Sequence, residues 1–288
     1  MSFTRRITLA RSLGVAASLA TLTVAAAGPA TAAGGSDLVA NGGHWAHAAT
    51  ATIHPGVMTL TKDAGCTANF IYTAQGHTYL GQAAHCSGTG ESTETNGCSA
   101  HSLPLGTPVK ILGSNVTGKL AYNSWLLMQK LGEKGENPCA FNDLALIEIP
   151  NSAVSKVNPS IPVFGGPNGL NTTGTKAGDA VESYGNSSLR QGMSEFSPKT
   201  GTSIGDVGDG WSHSVYTLTP GIPGDSGSAF LDAKGAALGD LSTLALAPSP
   251  LSNQVSDVAH ELQYARAHSN LKDLQLVAGT ERFHGSAL

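Results

Sequence analysis

From Val57 onward the chain alternates between short apolar stretches and turn residues. "VMTLT" at 57–61 alternates apolar and polar positions, the signature of a half-buried strand. "CTANFIYTAQGHTYLGQAAHC" at 66–86 reads as strand, turn at Gln75-Gly76, and strand. "PVKILG" and "GKLAYN" predict two more short strands. "DLALIEI", bounded by Asn142-Asp143 and Pro150, predicts a strand buried on both faces. The glycine-rich segment 164–179 reads as a connection between two halves. Beyond it, "AVESYGNS", "HSVYTLTP" and "GSAFLDAKGAALGDLSTLAL" repeat the rhythm, the last as a hairpin turning at Ala233-Lys234-Gly235. Turn signals at this spacing predict an all-β sandwich or barrel. One segment breaks the pattern. Residues 252–270 place Val255, Val258, Ala259, Leu262 and Ala265 three and four apart, which predicts an amphipathic C-terminal helix capped by Ser252 or Asn253.

Composition adds a compartment. The first 33 residues hold Arg5, Arg6 and Arg11 and no acid, then an apolar run from Leu13 to Ala27, then Ala30-Thr31-Ala32. That is the pattern of a secretory signal peptide, too short for a membrane span. Residues 34–56 are small, polar and glycine-rich and predict a flexible lead-in. Their His44, His47 and His54 have no acidic or cysteine neighbours and read as solvated. Residues 57–288 predict the folded domain, with a boundary between two halves near 160–178. The whole chain carries a net charge of −4 with 12% charged residues, and loses three arginines with its signal. Such a surface excludes the basic footprint of a nucleic-acid or anionic-membrane binder. The four cysteines, Cys66, Cys86, Cys98 and Cys139, all follow the signal, so an exported chain predicts two disulfides. Three pairings are possible. No C-x-x-C pair supports a zinc site.

Candidate chemistry centres on "GIPGDSGSAF" at 221–230. A serine hydroxyl is a weak nucleophile until a base takes its proton. Ser226 lies between residues whose glycines permit an unusual backbone, so the amides of Gly224 and Ser226 could converge on one point as an oxyanion hole requires. Adjacent Asp225 reads as a brace for the loop. His85, in "LGQAAHC", ends a predicted strand beside a cysteine that would hold its backbone. Asp143, in "FNDLALIEI", stands at the mouth of the most apolar strand, where a carboxylate can accept a bond from imidazole.

The order His85, Asp143, Ser226 separates this arrangement from the Asp-His-Ser and Ser-Asp-His orders of other serine hydrolases. With "CTANF", "AAHC", "NDLALI" and "GDSGSA", the chain resembles the chymotrypsin-like (trypsin-like) serine proteases, in particular secreted actinobacterial members such as the streptogrisins. The resemblance implies a double six-stranded β-barrel with a C-terminal α-helix and a site between the barrels. It implies His85 as base, Asp143 as orienting acid, Ser226 as nucleophile, and the Gly224 and Ser226 amides as oxyanion hole. It implies disulfides Cys66–Cys86 and Cys98–Cys139, and Ser242 of "GDLS" as a support for the aspartate. The implied activity is a secreted endopeptidase acting on proteins or peptides, needing no metal or organic cofactor and no membrane once the signal is gone.

Two departures limit what is inherited. Pro220 occupies the position where tryptic relatives carry a pocket-floor aspartate, which predicts non-tryptic specificity. No basic residue followed by Ile or Val lies between Ala33 and Val57, so an activating N-terminus is absent and Asp225 is expected to pair with a side chain or backbone instead. Glu91, Glu94, Asp206 and Asp209 read as solvated loop carboxylates rather than calcium ligands. An esterase on the same site and a non-catalytic peptide-binding barrel are the rival readings. Oligomeric state is not legible.

Overall fold

The computed structural model describes residues 38–39, 45–90, 94–244 and 251–286; the predicted signal peptide lies outside them. The first sheet contains β1 (Leu38–Val39), β2 (Met58–Thr61), β3 (Ala64–Thr67), β4 (Ile71–Ala74), β5 (His77–Ala83), β6 (Pro108–Ile111), β7 (Val116–Asn123) and β8 (Leu144–Ile149). β4 and β5 turn through Gln75 and Gly76, both at positive φ (52° and 76°). That is the two-residue hairpin whose twist matches the strands it joins. β8 sits between β5 and β7 in antiparallel register, which explains its nearly continuous apolar sequence. β3 and β4 are halves of one bent strand. β3 pairs with β2, β4 pairs with β5, and the bend keeps both ladders running through Ala68 N–H to Val57 O and Asn69 N–H to Gly81 O. Sharing that strand closes the ladder into a six-stranded barrel packed with Ile71, Leu80, Leu120 and Ile147.

The second barrel is built from β10 (Ala180–Tyr184), β11 (Pro198–Val207), β12 (Ser212–Thr217), β13 (Ala229–Asp232), β14 (Ala236–Leu244) and β15 (Asn253–Asp257). It closes where β13 pairs with both β10 and β14. A short β9 (Gly169–Leu170) adds to β14 in parallel. The architecture is the all-β double barrel with a C-terminal helix expected from the sequence. β11 was not legible as a strand. Its alternation is intact, but the inward positions are Lys199, Gly201 and Ser203 rather than apolar residues. A Cβ at Gly201 would lie 1.8 Å from Tyr216 O, so close strand approach requires glycine there.

Expectations are corrected in three regions. Residues 45–56 are not a free lead-in: Ile53 is fully buried and bridges to Val157, and Ala46 N–H donates to Val157 O. His54, read as solvated, is partly buried with its Nδ1 2.7 Å from Pro55 O. The helix predicted over 252–270 is half strand. β15 takes residues through Asp257, and the helix is α3 (Val258–His268), introduced once α1 (Ser124–Leu131) and α2 (Glu136–Phe141) have filled the β7–β8 connection. The three-and-four spacing ran across the junction because β15 is buried on both faces, so Val255 mimics a helical position. The cap is Asp257, whose carboxylate accepts from His260 N–H at 2.8 Å. After α3 the chain returns to the first barrel as β16 (Gln275–Val277), pairing with β4 and with β1.

The third correction is Asp206, which is exposed but lies on β11 rather than in a loop, with its carboxylate paired. It accepts from Thr175 N–H and hydroxyl and lies 2.7 Å from His213 Nδ1, while His213 Nε2 lies 3.0 Å from Asp257 Oδ2. The fully buried imidazole therefore ties the end of β11 to the cap of α3. Burial disfavours its charged form, but the two carboxylates outweigh burial and raise its pKa above the usual 6.5. A raised histidine contributes stability that is full below pH 6.5 and lost as pH climbs through the folded value. His213→Gln is expected to lower Tm, with a cost of roughly 3 kcal/mol near pH 6 that shrinks toward pH 9. Thermal melts of both proteins across that range check this; a pH-independent difference would mean a neutral ring.

Candidate active site

β5 ends at Ala83 and the chain enters a single tight turn, Ala84–Ser87. The Cys66–Cys86 disulfide anchors that turn to β3. His85 faces Asp143, the residue before β8. The Asp143 carboxylate grips it twice: Oδ1 accepts from the His85 amide at 2.9 Å and Oδ2 lies 2.7 Å from Nδ1. Ala84 N–H donates to the Asp143 carbonyl. Ser242 of β14 donates its hydroxyl to Oδ2 at 2.6 Å, so the second barrel contributes directly. Asp143 is buried, while the His85 side chain keeps about a quarter of its surface exposed. Nδ1–H donates a hydrogen bond to the Asp143 carboxylate, so in the neutral ring Nε2 is the acceptor. Burial alone would depress the His85 pKa; the charge and hydrogen bond of Asp143 overcome it and the value rises above 6.5.

Ser226 sits in a loop held from both barrels. Its carbonyl accepts from Thr67 N–H at 2.9 Å, and the Thr67 hydroxyl donates to Gly224 O at 2.8 Å. Gly227 N–H donates to Leu241 O at 2.6 Å. A Cβ on Gly227, at φ +82°, would meet Ala83 N and Thr67 O at 2.7 Å each, so only glycine lets the loop lie this close to the end of β5. Asp225 N–H turns inward to Ile222 O at 2.9 Å. Among the described residues the amides on either side, Gly224 and Ser226, find no acceptor. No hydrogen bond joins the Ser226 hydroxyl to His85 among the described residues.

No family model matches the chain, and no curated protein matches it. Solved structures do. Protease A of Thermobifida fusca aligns with 17% identity over 79% of this chain and 99% of that one, with a TM-score of 0.49. Nocardiopsis protease aligns with 17% identity over 78% and 98%, at 0.46. Cellulomonas bogoriensis chymotrypsin aligns with 17% identity over 78% and 97%, at 0.44. At these identities the likeness carries no assignment of chemistry, which rests on the side chains.

Asp225 is the buried anchor of the loop. Its fully enclosed carboxylate accepts from Ser187 N–H and Ile222 N–H at 3.1 Å each. It also pairs with Arg190 at 2.5 Å and Lys199 at 2.9 Å. Lys199, itself fully buried on β11, donates further to Thr219 O and Pro220 O. Burial lowers its pKa and Asp225 partly restores it. Pro220 is exposed, with its carbonyl turned to these cations. The second disulfide, Cys98–Cys139, fixes α2. Asp209 accepts from Asn137 Nδ2 at 2.9 Å, and Glu91 lies outside the described residues. Among the described residues, the one cluster of metal-ligating side chains is Cys66, His85 and Cys86, whose sulfurs are bonded to each other.

Sequence reasoning missed Lys199, Arg190, Asp240 and Glu261. Lys199 was hidden by the polar strand around it. Glu261 carried a signal: it shares the apolar face of α3, three residues after Val258 and four before Ala265.

Two outcomes are expected. The His85 ring should titrate above pH 6.5 by NMR, and Asp143→Asn should bring it back toward or below that value. Lys199→Met should destabilise by roughly 3 kcal/mol, because a buried carboxylate loses a partner, with amide signals of 222–228 broadening first.

Proposed function

We propose that the chain is a secreted serine endopeptidase using His85, Asp143 and Ser226. The observation that carries the reading is the bond from His85 Nδ1 to Asp143 Oδ2 at 2.7 Å, braced by Ser242 from the opposite barrel. It commits the ring to one tautomer and leaves Nε2 to act as base. His85 takes the Ser226 proton as the hydroxyl oxygen attacks the substrate carbonyl. The amides of Gly224 and Ser226 receive the oxyanion of the tetrahedral intermediate. His85 then gives the proton to the leaving amine, and an acyl-enzyme forms. Water, deprotonated by the same ring, adds to the acyl carbonyl; the bond to Ser226 Oγ breaks, His85 returns the proton to that oxygen, and the acid is released.

The pairing of Asp225 with Lys199 and Arg190 supports activity without a freed N-terminal amine, since that carboxylate already has internal cations. Pro220 supplies no carboxylate to the pocket floor, which favours a small or apolar residue over Lys or Arg before the scissile bond. Two disulfides fit an oxidising compartment and hence export.

The mature protein should react with a phosphonyl fluoride probe at Ser226 and degrade casein without a further cut in 34–57. Ser226→Ala should abolish labelling and lower kcat by roughly 10⁴–10⁶-fold. Labelling that survives the substitution would sink the nucleophile assignment. Ester cleavage without peptide cleavage would turn the reading to an esterase. A peptide library profiled on the mature chain should show no enrichment for Lys or Arg before the cut. The acid limb of kcat/KM should have its midpoint above pH 6.5, with the rate dropping as pH decreases through the raised His85 pKa and the free base is lost.

A further inference from the structure

Three buried carboxyls meet at Asp143. Glu261, on the inner face of α3, is fully enclosed, and Asp240, on β14, is 1% exposed. The Asp143 amide N–H donates to Glu261 Oε1 at 2.9 Å. Among the described residues, Glu261 Oε2 and both carboxyl oxygens of Asp240 are buried and find no conventional donor. The groups facing the pair are Asp143 itself, the phenols of Tyr72 and Tyr122, and the Asn69 amide; none is a cation. The donors from His85 and Ser242 compensate Asp143, but ionised Glu261 and Asp240 would repel it and each other with no cation facing them to offset their desolvation. A proton between Glu261 and Asp240 eases both problems: it removes one of the three charges, and one acid O–H engages Glu261 Oε2 and one of the two orphaned Asp240 oxygens.

The location of that proton follows from the bond already made. Glu261 Oε1 faces an N–H and must accept. The remaining oxygen, Oε2, is the one free to donate, and Asp240 is the carboxyl it reaches. We propose that Glu261 is a neutral carboxylic acid that bridges Asp240 and the Asp143 amide, and so positions the orienting aspartate without adding charge against it. Its positioning role rests on the endopeptidase reading; its protonation does not. Burial, then the charge of the neighbouring carboxyl, pushes both acids well above their ordinary range. For an acid raised by folding, stability is greatest below the unfolded pKa and declines as pH rises. A glutamine at 261 is a permanent copy of the neutral form: its Oε1 accepts from Asp143 and its Nε2 donates to Asp240.

Mature wild-type, Glu261→Gln and Glu261→Ala proteins test the bridge. Wild type labelled with ¹³C at glutamate side-chain carboxyls should show, at pH 7, one signal at the neutral-acid position that is absent from Glu261→Gln. The Tm of Glu261→Gln should match wild type near pH 5 and exceed it progressively toward pH 9. In peptide hydrolysis, Glu261→Ala should lower kcat roughly tenfold with KM within about twofold, and Glu261→Gln should restore kcat to within about threefold. A carboxylate signal for Glu261 at pH 7, or a Tm difference that stays flat with pH, overturns the proposal. So does a Glu261→Gln enzyme as impaired as the alanine variant. If wild type hydrolyses no peptide yet retains the neutral-acid signal, the endopeptidase reading and the positioning role fall together and the protonated bridge stands.

Discussion

Each backbone and carboxyl oxygen of Asp143, and its amide, is engaged, and the partners come from three separate parts of the chain. Its carbonyl and carboxylate hold the turn carrying His85, Ser242 reaches it from the second barrel, and Glu261 takes its amide from the C-terminal helix. A buried carboxylate is costly unless each lone pair is matched. That demand is what brings the barrels into register at this point. The β8 strand that follows is almost wholly enclosed, so the aspartate's backbone has little freedom to drift.

A second buried carboxylate, Asp225, does for the serine loop what Asp143 does for the histidine turn. Two cations and two amides neutralise it. The loop is thereby pulled inward at Asp225, which turns the flanking Gly224 and Ser226 amides away from internal acceptors. Ser228 leads into β13, which starts at Ala229: Ser228 O accepts from Leu241 N–H, and both side chains are buried. Their small size suits an enclosed strand start. Among the described residues the Ser228 hydroxyl is buried without a partner.

Much of the first barrel was legible because its strands follow the simple rule of apolar residues inward. β2, β5 and β8 stood out, and so did the Gln75-Gly76 turn. The candidate triad was legible for a different reason: His85, Asp143 and Ser226 each sit in short motifs whose residue types are demanded by chemistry. The second barrel was read less completely. β11 places a lysine, a glycine and a serine inward, and β15 runs directly into α3, so periodicity alone drew one long helix where a strand and a helix meet.

The sequence by itself determined the strand-rich architecture, the expectation of two disulfides, and the three side chains at the candidate site, because local pattern and residue chemistry carry that information. Only the tertiary structure decided which ionisable groups share a buried volume. Lys199 meets Asp225 across the second barrel, and Glu261 meets Asp143 across a gap of more than a hundred residues. Desolvation acts on groups that are close in space, whatever their separation along the chain, so no reading of spacing could have paired them.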